Sequence, residues 1–139
     1  MAIQQTITTS FIKQILQAQQ DLSTNTLKLA LYTSLADLGP DTTIYAASNE
    51  VVGTGYTAGG NVLTGVTISQ SDDGVVYVNF DNSAWNPAAF TARCALIYNS
   101  TQANKSVAVL DFGGDKTCQN SFTVQMPSNT ATSALIRFN

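Results

Sequence analysis

Five glycines fall within the sixteen residues from Glu50 to Gly65, "EVVGTGYTAGGNVLTG". Glycine at such spacing is the chemistry of anion binding, because backbone N–H groups can approach a phosphate closely where no Cβ intervenes. Gly53, Gly55 and Ala58 formally satisfy the dinucleotide pattern G-x-G-x-x-G/A. That pattern holds a pyrophosphate only when its third position opens a helix whose N-terminal amides face the ligand. Here "GGNVLTGVTIS" follows, β-branched and without a helix-period stripe. The pattern G-x-x-x-x-G-K-[ST] fails as well, since Gly55 and Gly60 are followed by Asn61. The glycines are therefore read as turn formers that let Tyr56 lie against neighbouring backbone in a compact loop.

Other chemistry-bearing residues reduce in the same way. "DFGG", Asp111 to Gly114, matches the magnesium-binding triplet of protein kinases, but neither H-R-D nor V-A-I-K accompanies it and Asp111 is read as a strand end. Asp72 and Asp73 precede Gly74, as expected of a hairpin turn, and no further acids alternate with them as a calcium loop requires. Glu50 and an aspartate could form a carboxylate pair for glycoside hydrolysis, but nothing in the sequence sets their separation. The chain contains no histidine, which removes the usual general base, every Ser-His-Asp or Cys-His arrangement and the commonest zinc ligand. Cys94 and Cys118 are read as reduced thiols. The expectation is a protein that is not an enzyme and has no cofactor or metal. Trp85 with Tyr56, Tyr77 and Tyr98 could stack on sugars or bases, although a core or interface role suits them better with so few basic residues.

The elements that would position these residues change once along the chain. Ser10 is a candidate cap for a helix over Phe11 to Gln20, with Phe11, Ile12, Ile15, Leu16 and Gln19 on one stripe and Lys13, Gln14, Gln17 and Gln20 opposite. Ten residues are too few for a stable isolated helix, so the stripe must be buried against its own domain or a partner. After Thr26 the pattern is strand and turn. Leu27, Leu29 and Leu31 alternate in "TLKLALYT", Val76, Val78 and Phe80 in "VVYVNF", and Phe90, Ala92, Cys94, Leu96 and Tyr98 in "FTARCALIY". Val107, Val109 and Asp111 alternate in "SVAVLDF", and Phe122, Val124 and Met126 in "SFTVQM". Weaker strands are expected over Val62 to Ser69 and in "ALIRF". Turn clusters separate them, among them "SDDG", "YNSTQANK" and "GGDK". The strand face with Thr91, Arg93, Ala95 and Ile97 is mixed enough to be half covered by a partner. The expected class is all-β, a sandwich or jelly-roll of seven to nine strands with a short N-terminal α-helix. Residues 1–25 form an arm with the helix, and 26–139 form the β-sandwich of a single domain.

Composition bounds the partners. Of 139 residues, six are basic and nine acidic, for a net charge of −3, which would attract neither nucleic acid nor an anionic membrane. No run of 18 apolar residues occurs, and Met1 to Thr9 lacks a basic or apolar leader, so no membrane or export segment is expected.

The run "TLKLALYTSLADLGPDTTIYAASNEVVGTGYTAGGNVL", followed by "FDNSAWNP", "ARCALIYN" and "AVLDFGG", resembles a family of small virion structural proteins of tailed bacteriophages, closest to capsid cement or decoration proteins. The blocks occur in order between about residues 10 and 115. The resemblance implies a jelly-roll-like β-sandwich that self-associates, as a homodimer or a trimer. It would be made in the bacterial host cytoplasm and sit on the virion's capsid exterior, bridging neighbouring major capsid protein subunits. A neck, tail or fibre-attachment component and a carbohydrate-binding β-sandwich are the alternatives. The low-charge surface suits dense packing of many copies. Expected intersubunit contacts are Phe11, Ile12, Ile15 and Leu16 on the helix, with Tyr56 and Trp85 in loops.

Overall fold

The structure, a computed structural model, describes residues 3–138. It is mostly β, with one short helix and several antiparallel sheets. In chain order the elements are β1 (Thr6–Ile7), α1 (Thr9–Leu16), β2 (Leu27–Tyr32), β3 (Asn61–Val62), β4 (Thr67–Gln70) and β5 (Val76–Asn79). They continue with β6 (Ser83–Trp85), β7 (Phe90–Asn99), β8 (Lys105–Cys118), β9 (Phe122–Val124) and β10 (Ile136–Phe138). A five-stranded sheet has the order β1-β8-β7-β2-β3, a three-stranded sheet the order β10-β5-β4, and β6 pairs with β9.

One core cluster takes side chains from all three sheets and the helix: Leu29 and Ile97, Val78 and Ile136, Trp85 and Phe122, and Phe11. A second cluster, with Tyr32, Cys94, Leu96, Tyr98 and Val109, lies on the opposite face of the five-stranded sheet, where Ala36 and Leu38 of the long β2–β3 connection cover it. Strand β2, which lies between β7 and β3, is therefore buried on both faces. Its period of two marked Leu27, Leu29 and Leu31 correctly, but Ala30 and Tyr32 are just as buried. Strand β7 also departs from simple alternation. Register shifts against β8 fall between Ala92 and Cys94 and between Ile97 and Tyr98. The first moves the inward phase from Phe90 and Ala92 to Ala95 and Ile97, and sends Cys94 and Leu96 to the second cluster. Of the face expected to be half covered by a partner, Ala95 and Ile97 are thus covered by the chain's own core, while Thr91 stays exposed.

Two turns differ from expectation. "GGDK" does not end a strand: β8 runs through it to Cys118, pairing Lys116 with Ala92 and Thr117 with Thr91. The expected strand over Val62 to Ser69 is divided into β3 and β4 by a break that contains Gly65. "SDDG" is the hairpin turn between β4 and β5, closed by the Gly74 N–H on the Ser71 carbonyl at 3.2 Å.

The helix starts and stops earlier than its stripe indicates. Thr8, not Ser10, is the N-cap residue, and it makes no side-chain capping bond; its hydroxyl instead donates to the Val107 carbonyl. At the other end Ala18 adopts a φ of 57°. The Gln19 N–H bonds the Gln14 carbonyl at 2.8 Å and the Ala18 N–H bonds that of Ile15 at 3.2 Å. This is the Schellman closure, with alanine where glycine is usual. Gln20, expected on a polar outer face, is consequently turned inward. It donates to Gln14 and to the Ser106 carbonyl and accepts from Asn99, all within a buried network. With Thr6 paired to Val109 and Phe11 only 1% exposed, the N-terminal arm is built into the sheet and core rather than hung beside them.

Candidate functional site

The glycine-rich loop does enclose an anion, and the anion is the chain's own. Glu50 leaves the end of the long connection and bridges Tyr32 at the edge of β2, where the Val51 N–H bonds the Leu31 carbonyl at 2.9 Å. Its carboxylate, 7% exposed as a residue, accepts from the Tyr45 hydroxyl at 2.6 Å, the Tyr56 hydroxyl at 2.5 Å and the Gly59 N–H at 2.7 Å. Each donor is tied in turn. The Tyr56 oxygen accepts the Leu31 N–H at 2.9 Å, and Tyr45 stacks on Tyr98 with centroids 4.6 Å apart. Tyr98 donates to the Gly59 carbonyl at 2.7 Å, and Tyr32 to that of Ala46 at the same distance.

Glycine is demanded here by packing. Gly60 has a φ of +79°, and a Cβ on it would collide with the Leu29 carbonyl of β2. At Gly55 the obstruction is the Pro87 carbonyl. The loop is thereby laid against β2 on one side and against the β6–β7 connection on the other.

Burial, reinforced by the neighbouring Glu50 charge, pushes the Tyr98 hydroxyl up to about 12. Burial likewise raises Tyr32, Tyr45 and Tyr56 above the ordinary tyrosine value. For Tyr45 and Tyr56 the hydrogen bond to Glu50 is the second cause, since each must keep its proton to donate. All the donors that converge on Glu50 are consumed by it, so the cluster fastens the loop to the sheet and presents no free proton donor to a substrate.

One ion pair is formed among the described residues. Asp111, expected at a strand end, lies inside β8 and forms an ion pair with Arg93 of β7. The Gly113 N–H, then Arg93, holds its carboxyl below the usual carboxylate range. Burial raises the Cys94 thiol to about 12. Cys94 and Cys118 are both free. Among the described residues no three His, Cys, Asp or Glu side chains gather as metal ligands, and no helix is long and apolar enough to cross a membrane.

The six residues expected at intersubunit contacts divide. Trp85 is not in a loop but on β6, 4% exposed, with Phe90 and Phe122 edge-on to its ring. Tyr56 is half-buried against Trp85 and Phe90 and bound to Glu50. Both belong to the chain's own core, because their apolar rings fill the space under the glycine loop. The helix stripe splits down its length. Phe11 is buried and Ile15 packs against the core, whereas Ile12 is 40% and Leu16 82% exposed. A shallow apolar groove is formed by Phe11 and Ile15 of the helix with Ile68, Val76, Val78 and Phe138 of the three-stranded sheet. Of these, Ile68 and Val76 are exposed, and neither was expected from the sequence as a surface residue.

The Glu50 cluster was also not foreseen. One signal was available: Glu50 is the sole glutamate of the chain, between two tyrosines and beside the glycines. No family model, no curated protein and no solved structure matches this chain.

Proposed function

We propose that this protein is a structural cement or decoration protein of a tailed-phage virion. In this reading its sandwich is jelly-roll-like, it self-associates, and it binds the outside of the icosahedral shell, bridging neighbouring major capsid subunits. Binding energy available only in the assembled shell opposes separation of the capsomers when packaged DNA presses outward. A standard interface buries ~1,200–2,000 Å² in total, and repetition over the lattice multiplies a modest contact.

The observation that carries the reading is the exposed half of the helix. Leu16 projects from an element that Phe11 locks into the core, so an apolar contact residue is held on a rigid mount at little entropic cost on binding. The partner class comes from the resemblance of the chain's sequence blocks to phage virion structural proteins. Trp85, packed among Phe90 and Phe122, offers no stacking platform to a sugar ring, which weighs against the carbohydrate-binding alternative.

The test is rebinding of purified protein to shells that lack it, read by co-sedimentation and by shell melting temperature. Wild-type protein should saturate the shells and raise their melting temperature, and Leu16→Asp should bind at least tenfold more weakly with its own fold intact. Shells that neither bind the protein nor gain heat resistance would contradict the reading.

A further inference from the structure

The free edge of the three-stranded sheet carries an inference of its own. Strand β4 pairs only with β5, leaving its other side open. The Ser71 N–H bonds the Val75 carbonyl at 2.9 Å while the Ser71 carbonyl accepts from Gly74, so both backbone groups of Ser71 serve the hairpin. In an antiparallel ladder this alternates: Ser69 and Thr67 also face β5, and the N–H and C=O of Ile68 and Gln70 point away from it.

Soluble proteins guard such edges by keeping them short or charged. Here β1 and β3 have two residues each, β6 and β9 three, β10 carries Arg137, and β8 beyond its pairing with β1 carries Asp115 and Lys116. Strand β4 is different. From Thr64 to Ser71 the sequence "TGVTISQS" has neither a charge nor a proline, and Val66 and Ile68 are exposed at 36% and 50%.

We propose that β4 pairs with β4 of a second copy of this chain, antiparallel across a two-fold axis at Ile68, joining two three-stranded sheets into one of six strands. A two-fold interface must be compatible with its own reversal. With Ile68 opposite Ile68, Thr67 lies opposite Ser69 and Val66 opposite Gln70, which sets hydroxyl pairs on one face and an Ile68 pair flanked by Val66–Gln70 pairs on the other, with no charged side chain among them. Ile68 already pairs with the buried Val78 and lines the groove beside the helix, so the Ile68 and Val66 of the second copy extend that apolar face outward. The proposal rests on the self-association in the proposed function but not on the capsid role.

The test is sedimentation of the purified full chain over a concentration series, without shells. The expected species has twice the 14.7 kDa mass of one chain. Ile68→Lys places like charges opposite each other, and Gln70→Pro removes an N–H that points away from β5; both should sediment as single chains with unchanged circular dichroism. A wild-type chain that stays single at every concentration would overturn the proposal, as would a dimer that both variants retain. Should either variant unfold, hydrogen exchange on the wild type decides. The Ile68 and Gln70 amides should exchange slowly when concentrated and faster on dilution, and concentration-independent exchange would overturn the pairing. Rebinding to shells is a separate measurement, so failure of one leaves the other standing.

Discussion

The Glu50 carboxylate accepts the Gly59 N–H at 2.7 Å, so the glycine loop closes on a side chain that begins the same loop. Two tyrosine hydroxyls complete the shell around it. Glu50→Gln replaces an acceptor of three donors by a group that is itself half donor, and should cost about 1–3 kcal/mol. Tyr56→Phe, which removes one donor to Glu50 and the acceptor of the Leu31 N–H, should cost a similar amount. Urea unfolding of the two variants and their double mutant checks this, and the double mutant should lose less than the sum because the groups share one network.

Gly60→Ala tests how tightly the loop lies on β2. The collision with the Leu29 carbonyl and the φ of +79° together should destabilise by about 3 kcal/mol or more. Gly114→Ala is the control, with nothing within 4 Å of its Cβ and no positive φ, and should stay within about 0.5 kcal/mol of wild type.

The tyrosine cluster fixes the response to alkali. Tyr98 is raised to about 12 and Tyr32, Tyr45 and Tyr56 are raised as well, so the folded state holds protons that the unfolded chain releases near its ordinary tyrosine value of 10. Their contribution is complete below about pH 10 and is lost as pH climbs through the window up to about 12. Denaturant midpoints should fall across that window, together with the appearance of tyrosinate absorbance. Asp111 acts in the opposite sense: its lowered value stabilises above the ordinary carboxylate range and is lost as pH falls through it.

The two halves of the helix stripe should separate cleanly. Phe11→Ala empties a core position and should cost about 3–5 kcal/mol. Leu16→Ser changes a residue that is 82% exposed and should leave the unfolding midpoint within about 0.5 kcal/mol of wild type while weakening attachment to shells. Thermal melts paired with shell co-sedimentation read both effects.

The strands were legible wherever one face met the core and the other met solvent or a turn, as in β9. Strand β2 was found but half understood, because a strand covered on both sides keeps an alternation that hides the burial of its second face. Strand β7 misled at its irregular pairing with β8, since the register shift between Ala92 and Cys94, where β8 carries the extra residues, reverses the inward phase and the sequence carries no mark of it. The continuation of β8 through Gly113 and Gly114 was lost because glycine and aspartate signal turns locally, while the pairing with Phe90 to Ala92 is tertiary. The helix ended early on a Schellman closure built with Ala18, where only glycine would have announced it. Of the expected contacts, the helix stripe was legible as a stripe but not as two halves, and Tyr56 and Trp85 went inside because aromatic residues in turn-rich sequence can serve either core or surface. Glu50 escaped because its partners come from three places in the loop, a coincidence only folding creates.

The copy number of this protein relative to the major capsid protein in purified virions tests the proposed function most directly, by quantitative mass spectrometry of whole particles. A shell cement protein should be present at a ratio near one. A ratio of a few per cent would contradict that account and place the protein at the neck or tail.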